Sequence, residues 1–427
     1  MQPPITIIGA GPLHVPRGAS SSPLVTCVGA GPAGMAAALF AARAGAKVRL
    51  IDGNEQVGRK LLVTGSGRAN LTNQRMEATR YTCADPAWMQ ILLSGFGHRD
   101  LVAFFKEIGV LTFSTHDGWC YPLSESAQTV VETFAATLRE AGVELVLNTK
   151  VTSIRKIEND FQLDLSTGAT LKAERLIVAA GGKAYPTLGS RGELFPFLKS
   201  LGHSVVPLTP ALAPLTCEMK PWRSLSGMRL DVRASLYEDK TLLAETEGNL
   251  IFTDWGLNGP AVMDLSHHVS TREGGKLELF LNPLFDRGDA LRELIARKRS
   301  ADVPLRVLLG SALPPKLPPL LLKRAGIQPD APVGSLQDGQ IKKVLREASA
   351  LPFKVSGVRG FEYCQVSAGG VPVSEVDPLN MRSRLVPGLW LAGETLDVVG
   401  PCGGYNLQFA FSSGALAGMD AAGWKSI

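Results

Sequence analysis

Three glycines with a fixed spacing give the clearest chemical signal in the chain. Gly29, Gly31 and Gly34 follow an apolar segment and precede a run of strong helix formers. In a dinucleotide fold the first glycine permits a tight turn, the second lets backbone approach a pyrophosphate, and the third lets the helix pack on the sheet. Asp52 follows 23 residues after Gly29, near the distance expected for a carboxylate that binds ribose hydroxyls. This spacing predicts one dinucleotide site.

An earlier Gly-Ala-Gly-Pro, which begins at Gly9, lacks the features that such a site requires. His14 stands where the third glycine would be, and Pro16 prevents a helix through the turn. We interpret residues 1–23 as an N-terminal extension with at most one added strand at 5–8. No basic region precedes a sustained apolar core, so the pattern does not indicate a signal peptide.

Two further glycine-rich stretches could also contact a nucleotide. Arg59, Lys60 and Arg68 are interspersed with glycines just after Asp52, which suits contact with a pyrophosphate; a solvated basic loop is the alternative. Near the C-terminus, an apolar strand leads into a glycine loop and a small-residue helix that starts near Asn406. The N-terminus of such a helix stabilises the negative charge of a reduced flavin.

The elements that position these residues alternate between strand and helix at both ends of the chain. This pattern predicts an α/β nucleotide-binding domain in two parts, 24–205 and 351–427. Between them, short β-rich segments indicate a β domain over 206–286, and helical periodicity indicates a helical domain over 287–350. The fold class expected is therefore α/β, a nucleotide domain interrupted by a β-plus-helical insertion.

The composition narrows the class of protein further. The chain has 427 residues, 45% of them hydrophobic, and a net charge of +5, which is too small to argue for nucleic acid by itself. The sequence contains no uninterrupted run of 18 apolar residues, so it does not predict a membrane span. The six cysteines lack a C-x-x-C pair and the six histidines lack ligand spacing, so we expect reduced thiols, a cytoplasmic location and no metal site.

Several longer stretches resemble a known family. "GRKLLVTGSGRANLTN", "GGKAYPTLGSRG", "FTDWGLNGPAVMDLS", "SAGGVPVSEVD" and "GLWLAGETLDVVGPCGGYNLQFAFSSG" are similar, in this order, to the BaiN/YhiN-like family of NAD(P)/FAD-dependent oxidoreductases. The resemblance covers the chain from about residue 24 onward. It implies a glutathione-reductase-like FAD-binding Rossmann domain with an inserted β-barrel-like and helical domain.

The resemblance also implies a set of cofactor-binding residues. These are Gly29, Gly31, Pro32, Ala33, Gly34, Asp52, Arg59, Lys60, Arg68, Asn70, Val151, Ala180, Gly181, Gly182, Gly393, Glu394, Gly404, Tyr405, Asn406 and Leu407. Asp52 stands where glutamate is commoner in the family, Ala69 where cysteine is frequent, and Ala180 where threonine is usual. These departures concern catalytic detail more than FAD binding.

The expected function is hydride transfer between FAD and a small or medium-sized organic substrate, with NAD(P)H as a transient electron donor. Tyr405 is the candidate proton donor, with an anchoring role as the alternative, and Cys402 is a possible thiol in the same loop. A second hypothesis is an RNA-modifying flavoenzyme that reduces uridine to dihydrouridine in ribosomal RNA. Its support is basic residues of the insertion: Lys220, Arg223, Arg229, Arg233, Arg297, Lys298 and Arg299. Such clusters are more often solvated faces. A third alternative is a flavin-binding protein without turnover.

Overall fold

The computed structural model describes residues 22–272 and 276–424. The chain divides into two compact units. The nucleotide unit contains the described residues up to Thr209 and those from Gln365 onward, and the inserted unit is Pro210–Cys364. The strand suggested at residues 5–8 lies outside the described residues.

The strands are numbered in chain order. They are β1 (Leu24–Val28), β2 (Lys47–Ile51), β3 (Thr72–Asn73), β4 (Thr82–Cys83), β5 (Thr112–Ser114), β6 (Trp119–Pro122), β7 (Glu144–Val146), β8 (Val151–Ile157), β9 (Asp160–Leu165), β10 (Thr170–Ala173), β11 (Arg175–Val178), β12 (Val206–Ala211), β13 (Leu215–Cys217), β14 (Arg229–Glu238), β15 (Thr241–Phe252), β16 (Gly256–Asn258), β17 (Leu277–Asn282), β18 (Leu351–Val358), β19 (Val366–Gly370), β20 (Leu389–Leu391) and β21 (Val398–Val399).

The α-helices are numbered in the same way. They are α1 (Pro32–Arg43), α2 (Pro86–Gly95), α3 (His98–Glu107), α4 (Ala127–Glu140), α5 (Phe195–Ser200), α6 (Pro260–Met263), α7 (Ser266–Ser270), α8 (Gly288–Arg297), α9 (Leu305–Gly310), α10 (Leu317–Ala325), α11 (Asp338–Ala348) and α12 (Tyr405–Ala421). Short 3-10 segments include Leu61–Gly67 and Gly393–Thr395. None of the described helices combines the length and the apolar character needed to cross a bilayer.

A five-stranded parallel sheet forms the centre of the nucleotide unit, with the strand order β20-β11-β1-β2-β7. Its central strands are almost continuously buried, as is typical of a parallel sheet covered on both faces. The chain passes from β1 to β2 through α1, the right-handed crossover of a Rossmann fold. This arrangement places the carboxyl ends of β1, β2, β11 and β20 at one edge of the sheet, where such folds bind ligands.

Helices α1 and α12 pack at unusually close range because their contact residues are small. A Cβ atom on Gly414 would lie 2.1 Å from the carbonyl oxygen of Ala33, and one on Gly418 would lie 2.2 Å from that of Ala37. Helix α1 is rich in alanine, and most of its residues are buried in the core of the nucleotide unit. The glycines of α12 thus fix how near the two helices approach each other.

The inserted unit contains a closed barrel with the strand order β13-β16-β15-β14-β17-β18. Alternate residues of β14, including Val232, Ala234 and Leu236, are fully buried, which is the period-two pattern of a barrel strand. Side chains of α8 to α11 belong to the same core cluster as the barrel interior. Closure removes the strand edges that an open sheet would expose.

The C-terminal boundary of this unit differs from the sequence expectation. The pattern predicts that the nucleotide domain resumes at residue 351, but β18 pairs with β17 and β13 and completes the barrel. An alternating strand pattern shows that a strand has a buried face without specifying which sheet buries it. Pro318 and Pro319 lie in the first turn of α10, where proline is tolerated.

Candidate functional site

Two glycines at the turn between β1 and α1 are required by close contacts with the backbone of the protein. Gly29 has φ +100°, and a Cβ atom there would lie 2.4 Å from the carbonyl oxygen of Ala179. A Cβ atom on Gly34 would lie 1.7 Å from the carbonyl oxygen of Gly29. Both positions therefore need glycine whether or not a ligand is bound.

Gly31 has different surroundings. A Cβ atom there would meet no protein atom within 4 Å, and the residue has an ordinary φ of −75°. Gly31 caps α1 without a side-chain hydrogen bond, and Pro32 follows at the start of the helix. The first-turn N–H groups of α1 thus face a space without a side-chain cap, which fits a pyrophosphate group.

The carboxylate of Asp52 lies at the carboxyl end of β2, beside this turn. One oxygen accepts the N–H of Ala30 at 2.6 Å, and the other accepts the N–H and the side-chain amide of Asn54 at 2.8 and 2.9 Å. Arg59 donates in turn to the Asn54 side chain at 3.0 Å. Asn54 therefore positions the Asp52 carboxylate. The glycine motif does not predict this role, because Asn54 lies in the turn two residues beyond Asp52.

A second cluster joins segments that are far apart in sequence. Lys60 Nζ lies 2.6 Å from one carboxylate oxygen of Glu394, and these side chains are only 19% and 16% exposed. The other oxygen of Glu394 accepts both the N–H and the hydroxyl of buried Ser367, each at 2.8 Å. A Cβ atom on Gly182 would lie 2.0 Å from the Ser367 hydroxyl. The glycine turn after β11 therefore allows this cluster to form.

Gly393 connects this cluster to the first glycine turn. It has φ +63°, and a Cβ atom there would lie 2.8 Å from the Cβ of Ala33 in the first turn of α1. Its N–H donates to the Ser413 hydroxyl of α12 at 2.9 Å. The segments after β1, β11 and β20, expected from the sequence to bind one cofactor, thus meet at one edge of the sheet.

The loop before α12 is held by reciprocal hydrogen bonds. The Asn406 side chain accepts the N–H of Gly400 at 2.9 Å and donates to its carbonyl oxygen at 2.8 Å. The residue that caps α12 is Gly404, with φ +95°, and a Cβ atom there would lie 2.3 Å from the carbonyl oxygen of Thr72. Gly404 is therefore required by packing against β3, and Asn406 closes the loop. Leu407 packs, half-buried, in the first turn of this helix.

Tyr405 is fully buried, and its hydroxyl already has partners. The hydroxyl donates to the carbonyl oxygen of Arg75 at 2.5 Å and accepts a hydrogen bond from the Arg80 guanidinium at 2.8 Å. Burial raises the pKa of Tyr405, and the nearby Arg80 opposes this rise only in part. This geometry favours the anchoring role of Tyr405 over that of a proton donor.

The other predicted residues lie in the same unit but in different local settings. Arg68 is exposed, with its guanidinium carbon 4.6 Å from the ring centroid of Tyr121. With its amide turned so that both ends are satisfied, the Asn70 side-chain nitrogen donates to the carbonyl oxygens of Cys120 and Thr72, between the strands β3 and β6. These contacts make Asn70 a strand-bridging residue.

Two predicted residues are placed by the neighbouring strands. Val151 begins β8, two residues after Thr149, whose N–H donates to the carbonyl oxygen of Asp52 at 2.9 Å. Ala180 packs against the core just before Gly181, which has φ +76°. No group of three or more His, Cys, Asp or Glu suited to a metal ion occurs in the described part of the chain.

A run of left-handed backbone follows Lys60 and is not predicted by the sequence pattern. Gly65, Ser66, Gly67 and Ala69 all have positive φ, and two of them are not glycine. Strain of this kind persists where the surrounding structure enforces it, often at ligand-binding loops. The Gly-Ser-Gly triplet at residues 65–67 is the sequence signal that could have predicted this left-handed segment.

The parallel sheet, the glycine turn and the acid after β2 define an FAD-binding Rossmann fold, the fold of a class of flavin-dependent oxidoreductases. The chain belongs to the family described as the HI0933-like protein Rossmann domain, whose model matches residues 23–420. The resemblance and the fold class inferred from the sequence are thereby confirmed.

Relatives and solved structures agree with this placement. The chain is 34% identical over 409 residues to the 3-dehydro-bile acid delta(4,6)-reductase of Clostridium scindens, covering 92% of this chain and 98% of that protein. It is 31% identical to the ribosomal RNA dihydrouridine synthase of Escherichia coli, covering 93% and 98% respectively. A 3-ketosteroid delta1-dehydrogenase from Sterolibacterium denitrificans shares the fold, with TM-score 0.51 and 14% identity over 93% of this chain and 99% of that one.

Proposed function

We propose that this FAD-dependent oxidoreductase transfers a hydride between the flavin and a small organic substrate, with NAD(P)H as the electron donor. The observation that carries the proposal is the open space at Gly31, beside an α1 N-terminus without a side-chain cap. Two further groups, Asp52 and the Lys60–Glu394 pair, lie at the ends of strands of the same sheet.

Each of these groups has a distinct binding role. The N–H groups of α1 would hold the pyrophosphate, Asp52 the adenosine ribose, and Glu394 the ribityl chain. The loop closed by Asn406 and the N-terminus of α12 would stabilise negative charge on the ring. FAD, when bound, supplies the hydride-transfer chemistry, whereas the protein supplies position and electrostatics.

The substrate class that we propose is a compound with a C=C bond conjugated to a carbonyl group. The names of both relatives describe reductions of this type, since a Δ4 bond beside a 3-keto group and the C5=C6 bond of uridine are each conjugated. Such a reduction adds a hydride to the carbon β to the carbonyl and a proton to the α carbon. Two electrons from NAD(P)H balance it.

Anaerobic reduction tests this proposal directly. NADPH or NADH should bleach the flavin absorbance of the holoenzyme, and a 3-oxo-Δ4 steroid should restore it with formation of the dihydro product. Product formed with 4-deuterated NADPH should have deuterium at the β carbon unless the reduced flavin exchanges with solvent, which a D2O control detects. A flavin that neither nucleotide reduces would contradict the donor assignment.

Reduction of uridine in RNA is the second candidate, favoured by the relative from Escherichia coli. The basic residues that supported it are partly neutralised within the inserted unit. Arg233 pairs with Glu247, Arg297 with Glu293, and Arg299 with Asp338. Lys220, Arg223 and Arg229 remain exposed.

Salt dependence separates the two candidates. Binding of an RNA fragment through several phosphates should weaken steeply as salt increases, by orders of magnitude between about 50 and 200 mM. Binding of a small enone should change little over the same range. A steep salt slope together with dihydrouridine in the RNA product would favour the second candidate.

A further inference from the structure

Two arginines of the nucleotide unit meet at the hydroxyl of Tyr405, the first residue of α12. The Arg80 guanidinium donates to this hydroxyl at 2.8 Å, and the hydroxyl donates to the carbonyl oxygen of Arg75 at 2.5 Å. Tyr405 is fully buried, so the group that joins the two arginines is itself fixed. We refer to Arg75 and Arg80 as the arginine pair.

The turn that joins β5 to β6 holds the Arg75 side chain. The guanidinium donates to the carbonyl oxygen of His116 at 2.9 Å, and a Cβ atom on Gly118 would lie 3.3 Å from the Arg75 Cγ. The N–H of Arg75 donates to the Asn73 side chain at 2.8 Å. Arg75 is exposed, yet it is restrained at its backbone, at its Cγ and at its guanidinium.

Neither member of the arginine pair is neutralised by a carboxylate. Among the described residues, the arginines of the nucleotide unit that form ion pairs are Arg43, Arg49, Arg155 and Arg382. The Asp117 carboxylate, in the same turn as His116, lies 3.7 Å from the His116 ring instead. Since a guanidinium has several N–H donors and each member uses one in the contacts above, the others are available to an external acceptor.

Three charged groups act on the Tyr405 hydroxyl. Burial raises the pKa of Tyr405, Arg80 and Arg75 lower this pKa, and the carboxylate of Glu77 raises it. Glu77 is exposed, and within residues 22–272 and 276–424 its carboxylate forms no ion pair. The local charge therefore remains positive, because two guanidinium groups outnumber one carboxylate.

Two guanidinium groups of this kind match a phosphate group with two negative charges. A guanidinium binds two phosphate oxygens through parallel hydrogen bonds. A phosphate monoester has a charge of about −1.5 to −2 at pH 7, whereas each phosphate of a nucleic acid backbone has a single charge. In dinucleotide-binding folds an arginine accommodates the 2′-phosphate that distinguishes NADP from NAD. The arginine pair therefore favours a phosphate monoester.

We infer that the arginine pair binds the 2′-phosphate of NADPH and so selects NADPH over NADH as the electron donor. This inference rests on the proposed function for the dinucleotide donor and on the arginine pair for the phosphate. The sequence contains one complete glycine turn, which FAD would occupy, so side chains must recognise the donor. Tyr405 begins the helix whose N-terminus we assign to the flavin ring, which a nicotinamide must approach.

Anaerobic flavin reduction of the holoenzyme measures this selection. The quantity compared is the rate constant of reduction divided by the dissociation constant, for NADPH relative to NADH. We expect Arg75→Gln to lower this NADPH-to-NADH ratio by about tenfold, the loss expected for one charge-assisted hydrogen-bonded pair. This variant leaves the Tyr405 contact in place, because Tyr405 binds the Arg75 backbone. Arg80→Gln should lower the ratio similarly, and Arg80→Lys should have an intermediate effect, since it keeps the charge without the planar edge.

The control variant is Arg139→Gln, at an exposed arginine in the last turn of α4 of the same unit, which should keep the wild-type ratio. FAD content and melting temperature establish that each variant is folded. Equal losses for NADPH and NADH, or no loss for either, would overturn the inference. A loss of RNA affinity with an unchanged ratio would also overturn it and would favour a nucleic acid ligand.

A binding measurement makes the inference independent of turnover. The probes for calorimetric titration of the oxidised holoenzyme are adenosine 2′,5′-bisphosphate and adenosine 5′-monophosphate, which lacks the 2′-phosphate. The bisphosphate should bind about tenfold more weakly to Arg75→Gln than to the wild type. If the bisphosphate binds through the arginine pair but neither nucleotide reduces the flavin, the donor assignment fails and the phosphate site stands. If the wild type binds both probes equally, the phosphate site fails.

Discussion

The three glycines of the first turn have the same residue type for different reasons. A side chain at Gly29 or Gly34 would overlap backbone atoms of the protein, whereas a side chain at Gly31 would extend into open space. A side chain at Gly31 therefore conflicts only with something that enters that space. Substitutions at these neighbouring positions can therefore distinguish an effect on folding from an effect on cofactor binding.

We predict that Gly31→Val folds but loses FAD, with affinity reduced by at least about a hundredfold because the side chain occupies the phosphate position. Gly34→Ala should instead lower the free energy of unfolding by about 1–3 kcal/mol or more, since its Cβ overlaps the Gly29 carbonyl oxygen. Flavin stoichiometry and urea unfolding of the apoproteins measure the two effects. Retention of FAD by a folded Gly31→Val variant would refute the assignment of this turn.

A buried histidine links two segments of the nucleotide unit. His203 Nδ1 lies 2.7 Å from a carboxylate oxygen of Glu375, and Nε2 lies 2.9 Å from the Ser383 hydroxyl. The N–H groups of Leu385 and Val386 donate to that hydroxyl, so the serine is occupied as a turn-forming residue. The trio is therefore a structural link between these segments.

The pH dependence of this link follows from Glu375. Burial by itself would raise the pKa of Glu375, but hydrogen bonds from Ser204 and His203 outweigh burial and hold the pKa below its usual value. A carboxyl group with a lowered pKa contributes stability above its unfolded pKa of about 4.3 and loses that contribution as pH falls through the folded pKa. The contribution should thus be complete at neutral pH.

We predict that Glu375→Gln lowers the free energy of unfolding at pH 7 by about 1–2 kcal/mol. The difference from wild type should shrink as the pH falls below about 4. Chemical unfolding at pH 7 and at acidic pH measures it, with Glu140→Gln, at an exposed acid that ends α4, as the control. A difference that grows in acid would contradict the role assigned to Glu375.

At the scale of elements, the contact between α1 and α12 positions the phosphate-binding turn. Gly414 faces the carbonyl oxygen of Ala33, which lies in the first turn of α1. A larger side chain at position 414 must therefore displace the start of α1. The geometry of the cofactor site depends in this way on a helix that begins only at Tyr405, near the other end of the chain.

We predict that Gly414→Ala lowers the free energy of unfolding by about 1–3 kcal/mol and weakens FAD binding, since the new methyl group displaces the first turn of α1. Gly339→Ala makes the same change in α11, where a Cβ atom meets nothing within 4 Å, and should be neutral or stabilising by up to about 1 kcal/mol. Urea unfolding and FAD titration compare the variants. Equal stability of both variants would contradict the close packing of α1 and α12.

At the scale of the whole molecule, the first Gly-Ala-Gly-Pro remains a feature of the sequence alone, because residues 1–21 lie outside the described residues. Pro23 contributes a hydrogen bond to the described structure, because its carbonyl oxygen accepts the N–H of Lys47 at 2.9 Å. A truncation that tests the first copy should therefore stop before that residue.

We predict that deletion of residues 2–21 leaves FAD content and melting temperature unchanged, because the earlier Gly-Ala-Gly-Pro has no third glycine and no following helix. Absorbance of the purified variant at the flavin band and thermal unfolding provide the measurements, with the full chain as reference. Loss of FAD from the truncated protein would mean that the first copy contributes to the site.

The sequence by itself determined those features that depend on neighbours along the chain. The glycine spacing at 29–34 and the acid at Asp52 could be predicted because a turn and its helix are local structures. The turn at Gly393–Glu394 could be recognised for the same reason. These segments sufficed to indicate the fold and the cofactor class.

Only the tertiary structure decided which distant residues meet. Lys60 and Glu394 are 334 positions apart, and no local pattern specifies their ion pair or the part that Ser367 plays in it. The barrel strand β18 has an ordinary alternating pattern, and alternation specifies a buried face but not a partner. Likewise, the role of Tyr405 depends on its contacts with Arg75 and Arg80, which are set by packing rather than by sequence spacing.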